Sequence, residues 1–99
     1  MDERCPFQDT LELLGRKHAL SILRLLSARD PRRFTELQGV LRLNPKVLTD
    51  RLRDLAAAGI VDRTEHAEIP PRVEYGLTRK GADLVKVFDV IERWHKRYA

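Results

Sequence analysis

Cysteine, tryptophan and methionine occur once each in this 99-residue sequence, and each scarcity removes a class of molecule. A single thiol, Cys5, excludes an internal disulfide framework and fits a reducing cytoplasm. No apolar run approaches the roughly 18 residues that span a bilayer, so no membrane partner is expected. The start, Met1-Asp2-Glu3-Arg4, is too polar to read as a signal peptide. His18, His66 and His95 stand far apart, without Cys-x-x-Cys or His-Glu-x-x-His spacing, so no metal set is expected. Glycine-rich phosphate loops and Gly-x-Ser-x-Gly elbows are absent too. Neither an enzyme nor a cofactor is expected on these grounds.

What is present is charge and helical pattern. Charged residues make up 34% and hydrophobic residues 42%, enough for one folded domain over residues 1–99. The net charge is +4. All of the excess lies in residues 29–53, where Arg29, Arg32, Arg33, Arg42, Lys46, Arg51 and Arg53 face only Asp30, Glu36 and Asp50. Such concentration favours a polyanionic partner, although a solvated basic surface gives the same composition.

Punctuation divides the chain into short elements. Asp9 or Thr10 is placed to cap a first helix carrying Leu11, Leu13 and Leu14, which stops at Gly15. A second helix over 17–27 turns Leu20, Ile22, Leu23 and Leu26 inward at helical spacing. Asp30-Pro31 breaks the chain. Arg33-Phe34 has room for no more than a token strand. Thr35-Glu36-Leu37-Gln38 has the capping-box pattern and opens a third helix with Leu37, Val40 and Leu41 inside. Asn44 and Pro45 suit the cap and first position of a fourth helix over 45–58, ended by Gly59. The period then becomes alternating. Residues 60–66 and 72–77 read as a two-stranded hairpin across a proline-bearing loop. Thr78 caps a last helix running to about residue 98.

Two short helices, a tight turn and a hairpin make a winged helix-turn-helix. In the fourth helix Leu48, Leu52 and Leu55 form the inner stripe, leaving Lys46, Thr49, Asp50 and Arg53 outward. Arginine suits guanine, threonine a thymine methyl or base edge, and lysine a phosphate or guanine. Asp50 fits two readings, accepting from cytosine or pairing with Arg51 or Arg53. Arg53 in turn has Asp54 and Glu36 within sequence reach as ion-pair partners. Asn44, at the start of the fourth helix, joins Lys46, Thr49, Asp50 and Arg53 as an expected DNA contact of the recognition helix. Arg63 and Arg72 flank the hairpin loop and are expected on the backbone of double-stranded DNA, with Arg33 and Thr35. Glu65 and Glu68 argue the other way, for a hairpin that only covers the core.

The last helix carries Leu84, Val87, Phe88, Ile91, Trp94, His95 and Tyr98 at three- and four-residue spacing. That stripe exceeds what one small domain covers, which predicts a homodimer interface of Phe7, Leu11, Leu14, Val87, Ile91, Trp94 and Tyr98. Residues 1–28 and 78–99 would supply it.

From Cys5 to the end, these residues resemble the HxlR family of MarR-like winged-helix transcription regulators. Cys5-Pro6, Gly15 with Lys17, Arg33-Phe34 and Glu36-Leu37 carry the first half of the likeness. Lys46, Leu48-Thr49, Leu52-Arg53 and Leu55 look like the family's recognition helix. Gly59-Ile60-Val61, Arg63, Pro70-Pro71, Val73-Glu74-Tyr75, Leu77-Thr78 and Gly81 look like its wing and exit. His18 stands where the family has tryptophan, and Asn44-Pro45 replaces a serine-containing turn. The resemblance implies a mainly α fold with a small antiparallel hairpin and N- and C-terminal dimerisation helices. It also implies a homodimer that binds operator DNA. Two-fold pairing would hold two recognition helices about 34 Å apart, one turn of duplex, so a near-palindromic operator is expected, bound in the cytoplasm at the nucleoid. Some members of the family sense oxidants or electrophiles through a cysteine at the position of Cys5, here beside Arg4 and a helix start, settings that activate a thiol. The bland alternative is a terminal cysteine without a role. The competing class for the whole chain is a winged-helix protein-interaction module that does not bind specific DNA.

Overall fold

A computed structural model describes residues 5–99; the polar start, Arg4 included, lies outside the described residues. The chain order is α1 (Gln8–Leu14), α2 (Ala19–Ala28), β1 (Arg32–Arg33), α3 (Phe34–Leu41) and α4 (Pro45–Ala57). Then follow β2 (Val61–His66), β3 (Arg72–Leu77), α5 (Arg79–Leu84) and α6 (Val87–Tyr98). The fold is mainly helical with one small antiparallel sheet, in the order β1-β3-β2.

Leucine spacing builds the core. Ile22, Leu23 and Leu26 of α2, Leu37 of α3, and Leu48, Leu52 and Leu55 of α4 meet Ile60, Val61 and Tyr75 from the sheet side. In α2 the buried set is Ala19, Ile22, Leu23 and Leu26, an i, i+3, i+4, i+7 pattern, which leaves Leu20 41% exposed rather than inward. Val40 likewise faces out, at 56%, because the short α3 buries only the stripe through Leu37.

Caps decide the helix ends, with two departures from the sequence reading. Asn44 Oδ1 accepts from the Lys46 backbone N–H at 2.7 Å, with Pro45 at the first position, so α4 starts as expected. Gly59 ends it at φ 76°, in the left-handed region that glycine occupies freely. The first departure is the Thr35 capping box, which does not form. Arg33 is drawn into a strand opposite Glu74, Phe34 packs on Tyr75 at 6.4 Å, and the helix begins at Phe34 with Thr35 already inside its first turn. The second is α1, which starts at Gln8 after Phe7, placing Asp9 in its first turn instead of at the cap. We expect Asn44→Ala to lower unfolding stability by about 1 kcal/mol, read as a shifted urea midpoint at unchanged slope. An unchanged midpoint would mean that the cap adds nothing to the native state.

The expected two-stranded hairpin is a three-stranded sheet. The token strand at Arg32–Arg33 pairs with β3 (Arg32↔Tyr75, Arg33↔Glu74), while β2 pairs with β3 from Val61↔Leu77 to His66↔Arg72. This third strand ties the base of the wing to the lead-in of α3. Beyond the sheet, Thr78 caps α5 by accepting from the Gly81 N–H at 3.0 Å and donates to the Gly59 carbonyl at 2.6 Å. A Cβ on Gly81 would stand 2.1 Å from the Ile60 carbonyl oxygen, so this junction closes only with glycine.

The single long C-terminal helix is not formed either. It breaks at Val85–Lys86 into α5 and α6, and α6 has 12 residues, about 18 Å at the helical rise. Leu84, Val85 and Phe88 pack against the core on either side of this break.

Candidate nucleic-acid interface

The helix-turn-helix is α3, a three-residue turn and α4. Arg42 in the turn holds φ 54°, a left-handed conformation that lets the second helix leave at once. With Leu48, Leu52 and Leu55 fully buried, α4 is fixed in rotation, and Lys46, Thr49, Asp50 and Arg53 are set outward.

Ion pairs sort the basic segment into engaged and available cations. Arg29 and Arg32 both pair with Glu36, and Arg32 Nε also donates to the Leu25 carbonyl at 2.8 Å. Arg51 is held by Asp54 at 2.8 Å and by the Lys17 carbonyl at 2.7 Å, while Arg16 shares Asp54 at 3.0 Å. Lys46 pairs with Asp50 at 3.1 Å along the exposed face. Asp50 therefore pairs with Lys46, not with Arg51 or Arg53, and Asp54 and Glu36 are taken by arginines other than Arg53. Arg33, Arg42 and Arg53 have no carboxylate partner among the described residues. Arg42 was counted in the charge excess but not singled out as a site residue; its only sequence signal is its place in the turn.

Six of the nine expected DNA-contact residues line one cleft of about 810 Å³ between α4 and the wing: Arg33, Thr35, Thr49, Arg53, Arg63 and Arg72. Lys46, Asp50 and Asn44 lie outside it, toward the start of α4. Asn44 Oδ1 is committed to the cap, leaving its amide NH₂ to contact a partner. The wing arginines are less available than the charge count suggests. Arg63 stands 3.6 Å from Glu65. The Arg72 side chain is 28% exposed, 3.2 Å from Glu68 and from Glu74, its Nε near Glu74 but out of line for a hydrogen bond. His66 Nε2 shares Glu74 at 2.6 Å.

The expected dimer residues divide in two. Leu14 packs against the core of its own chain, whereas Phe7, Leu11, Val87, Ile91, Trp94 and Tyr98 are exposed, Trp94 at 64% and Tyr98 at 68%. The Trp94 and Tyr98 rings meet in a tilted contact, centroids 5.5 Å apart. On the other face of α6, Lys96 donates to Glu92 at 3.0 Å; that hydrogen bond, with the charge behind it, holds the Glu92 carboxyl below its ordinary range. Cys5 is a free, half-buried thiol just before α1, its carbonyl accepting from the Gln8 N–H. Among the described residues no three His, Cys, Asp or Glu side chains converge as metal ligands, and no helix is long and apolar enough to cross a membrane.

Comparison with known proteins places this geometry. The family model described as HxlR-like helix-turn-helix matches residues 13–99. The chain is 38% identical over 90 residues to an uncharacterised helix-turn-helix transcriptional regulator of Halalkalibacterium halodurans, covering 90% of this chain and 80% of that protein. The reduced form of the transcriptional regulator YodB from Bacillus subtilis superposes with a TM-score of 0.81 at 32% identity, over 97% of this chain and 95% of that one. The quinone-bound form of YodB superposes at 0.79 and 30% identity, over 95% and 99%. With the basic α4 face beside a wing, these likenesses make the chain a DNA-binding transcriptional regulator rather than an enzyme, and it belongs to the HxlR-like helix-turn-helix family.

Proposed function

We propose that the chain acts as a homodimer on a near-palindromic operator in the nucleoid, with 1–99 working as one winged-helix unit. Lys46, Thr49 and Arg53 reach base edges, with Asn44 a further contact of the recognition helix, Asp50 tempers Lys46, and Arg33, Thr35, Arg63 and Arg72 lie along the backbone. The guanidinium of Arg53, on the outward face of α4 and without a carboxylate partner among the described residues, is the observation that carries this reading, because such an arginine can meet guanine bidentately. Regulation is proposed to run through Cys5, which stands at the start of α1. The quinone-bound state of YodB supports that part.

Fluorescence anisotropy against the DNA upstream of the gene tests the reading. Four phosphates neutralised imply a loss of roughly 100-fold in affinity between 50 and 200 mM salt, because condensed counterions are released. Equal affinity for arbitrary duplexes would remove sequence specificity, and no salt-dependent binding at all would favour a protein-interaction module. Treatment with 1,4-benzoquinone should weaken operator binding of the parent chain and leave Cys5→Ser unaffected. Equal sensitivity of both would dismiss Cys5.

A further inference from the structure

Among the described residues, two that are not glycine hold a positive φ, His18 and Arg42, the latter at φ 54° and ψ 44°. A left-handed backbone crowds a Cβ against the following carbonyl oxygen, a cost that glycine avoids. The chain follows this rule where α4 ends, with Gly59 at φ 76°, and departs from it where α3 ends. There the Arg42 backbone N–H donates to the Gln38 carbonyl, and the Leu43 N–H meets the same oxygen at 3.3 Å. Glycine would make the first of these bonds as well and leave the second untouched. What arginine adds at this turn is its side chain.

That side chain is exposed and makes no hydrogen bond or ion pair among the described residues. Residues 37–49 contain no carboxylate, and the acids on either side of this stretch are engaged: Glu36 by Arg29 and Arg32, Asp50 by Lys46. The turn therefore carries a whole positive charge that the nearby chain does not neutralise. The N-terminal end of α4 follows at once, and its peptide dipoles raise the positive potential further.

Groove geometry narrows what meets this charge. A recognition helix sets its N-terminal residues against base edges in the major groove, so the turn leading into it stands at the edge of the groove, where the phosphates run. A guanidinium matches phosphate oxygens bidentately. A cation at this position has one other use, to complement the C-terminal end of α3. That use predicts a gain in stability and none in affinity, so the two separate by measurement.

We propose that Arg42 binds a backbone phosphate of duplex DNA, and that the left-handed strain at this turn is carried for that contact. The inference rests on the DNA-binding reading above and adds a residue to it: Arg42 supplies affinity without sequence, from the side of α4 opposite the wing in chain order.

The test compares the parent chain with Arg42→Gly, Arg42→Lys and Arg42→Gln, by anisotropy on the upstream duplex and on an unrelated duplex of equal length. Arg42→Gly should weaken both duplexes by the same factor, about tenfold, as the loss of a charge-assisted hydrogen bond requires. The slope of log affinity against log salt should fall by about 0.9 for each Arg42 in the complex. Arg42→Lys keeps the charge and should restore the slope, while Arg42→Gln should lose it as glycine does. In urea, Arg42→Gly should unfold at a midpoint no lower than the parent's, since glycine relieves the turn. An unchanged slope in both Arg42→Gly and Arg42→Gln would overturn the contact, as would a loss confined to the upstream duplex. A lowered midpoint with undisturbed DNA binding would assign the residue to the end of α3 instead. If the parent binds both duplexes with a steep salt dependence and the variants match it, the DNA reading stands and Arg42 alone is dismissed; if the parent binds neither, both fall.

Discussion

Ile91→Asp combined with Trp94→Asp should give a chain that sediments at the monomer mass and loses roughly 100-fold or more in operator affinity. The parent chain should run near twice the monomer mass at micromolar concentration. Both residues lie on the exposed apolar face of α6, so the charges meet water in the free chain and leave the core intact. In a two-fold dimer each patch faces its own copy, and every substitution is therefore counted twice. Aspartates there would bury like charges without partners. Affinity follows because two recognition helices held about 34 Å apart bind half-sites one turn apart. Linked binding of that kind exceeds a single contact by about 100- to 10,000-fold. The break at Val85–Lys86 bears on this geometry: a short α6, not one continuous helix from Thr78 to residue 98, would set the spacing. A monomeric double variant that still binds the full operator tightly would sink the dimer model, and unchanged circular dichroism is the control for folding.

Arg53→Ala should relax discrimination at one base pair by about 1–3 kcal/mol, roughly 5- to 150-fold, and leave affinity for unrelated duplexes nearly unchanged. Its guanidinium has no carboxylate partner among the described residues, so truncation breaks no native ion pair and the whole effect reads on the complex. Arg72→Ala is the contrast. Any backbone contact by Arg72 is indifferent to sequence, so its loss should weaken all duplexes alike. Its pairs with Glu68 and Glu74 make that loss smaller than a free arginine would give. Base-by-base competition for the two variants separates them. Uniform weakening by Arg53→Ala would move that residue from the bases to the backbone.

The site was more legible than the termini, for a physical reason. Leu48, Leu52 and Leu55 at helical spacing fix which side of α4 faces out, and Asn44-Pro45 and Gly59 fix where it begins and ends, all within 16 residues. Local pattern suffices for such an element. The Thr35 capping box met its sequence rule and still failed, because the competing partner, β3, lies about 40 residues further on. The same holds for Arg53. Sequence offered Asp54 and Glu36 as partners, but Arg16, Arg29, Arg32 and Arg51 reach those carboxylates first.

The sequence alone determined the helix-turn-helix, the wing and the face that α4 presents, since caps, prolines and hydrophobic period act over one or two turns. Tertiary structure alone decided the third strand, the break between α5 and α6, and which arginines have no carboxylate partner among the described residues. Those outcomes depend on residues distant in the chain competing for the same carbonyls, carboxylates and core volume, and such competition is settled only when the elements pack.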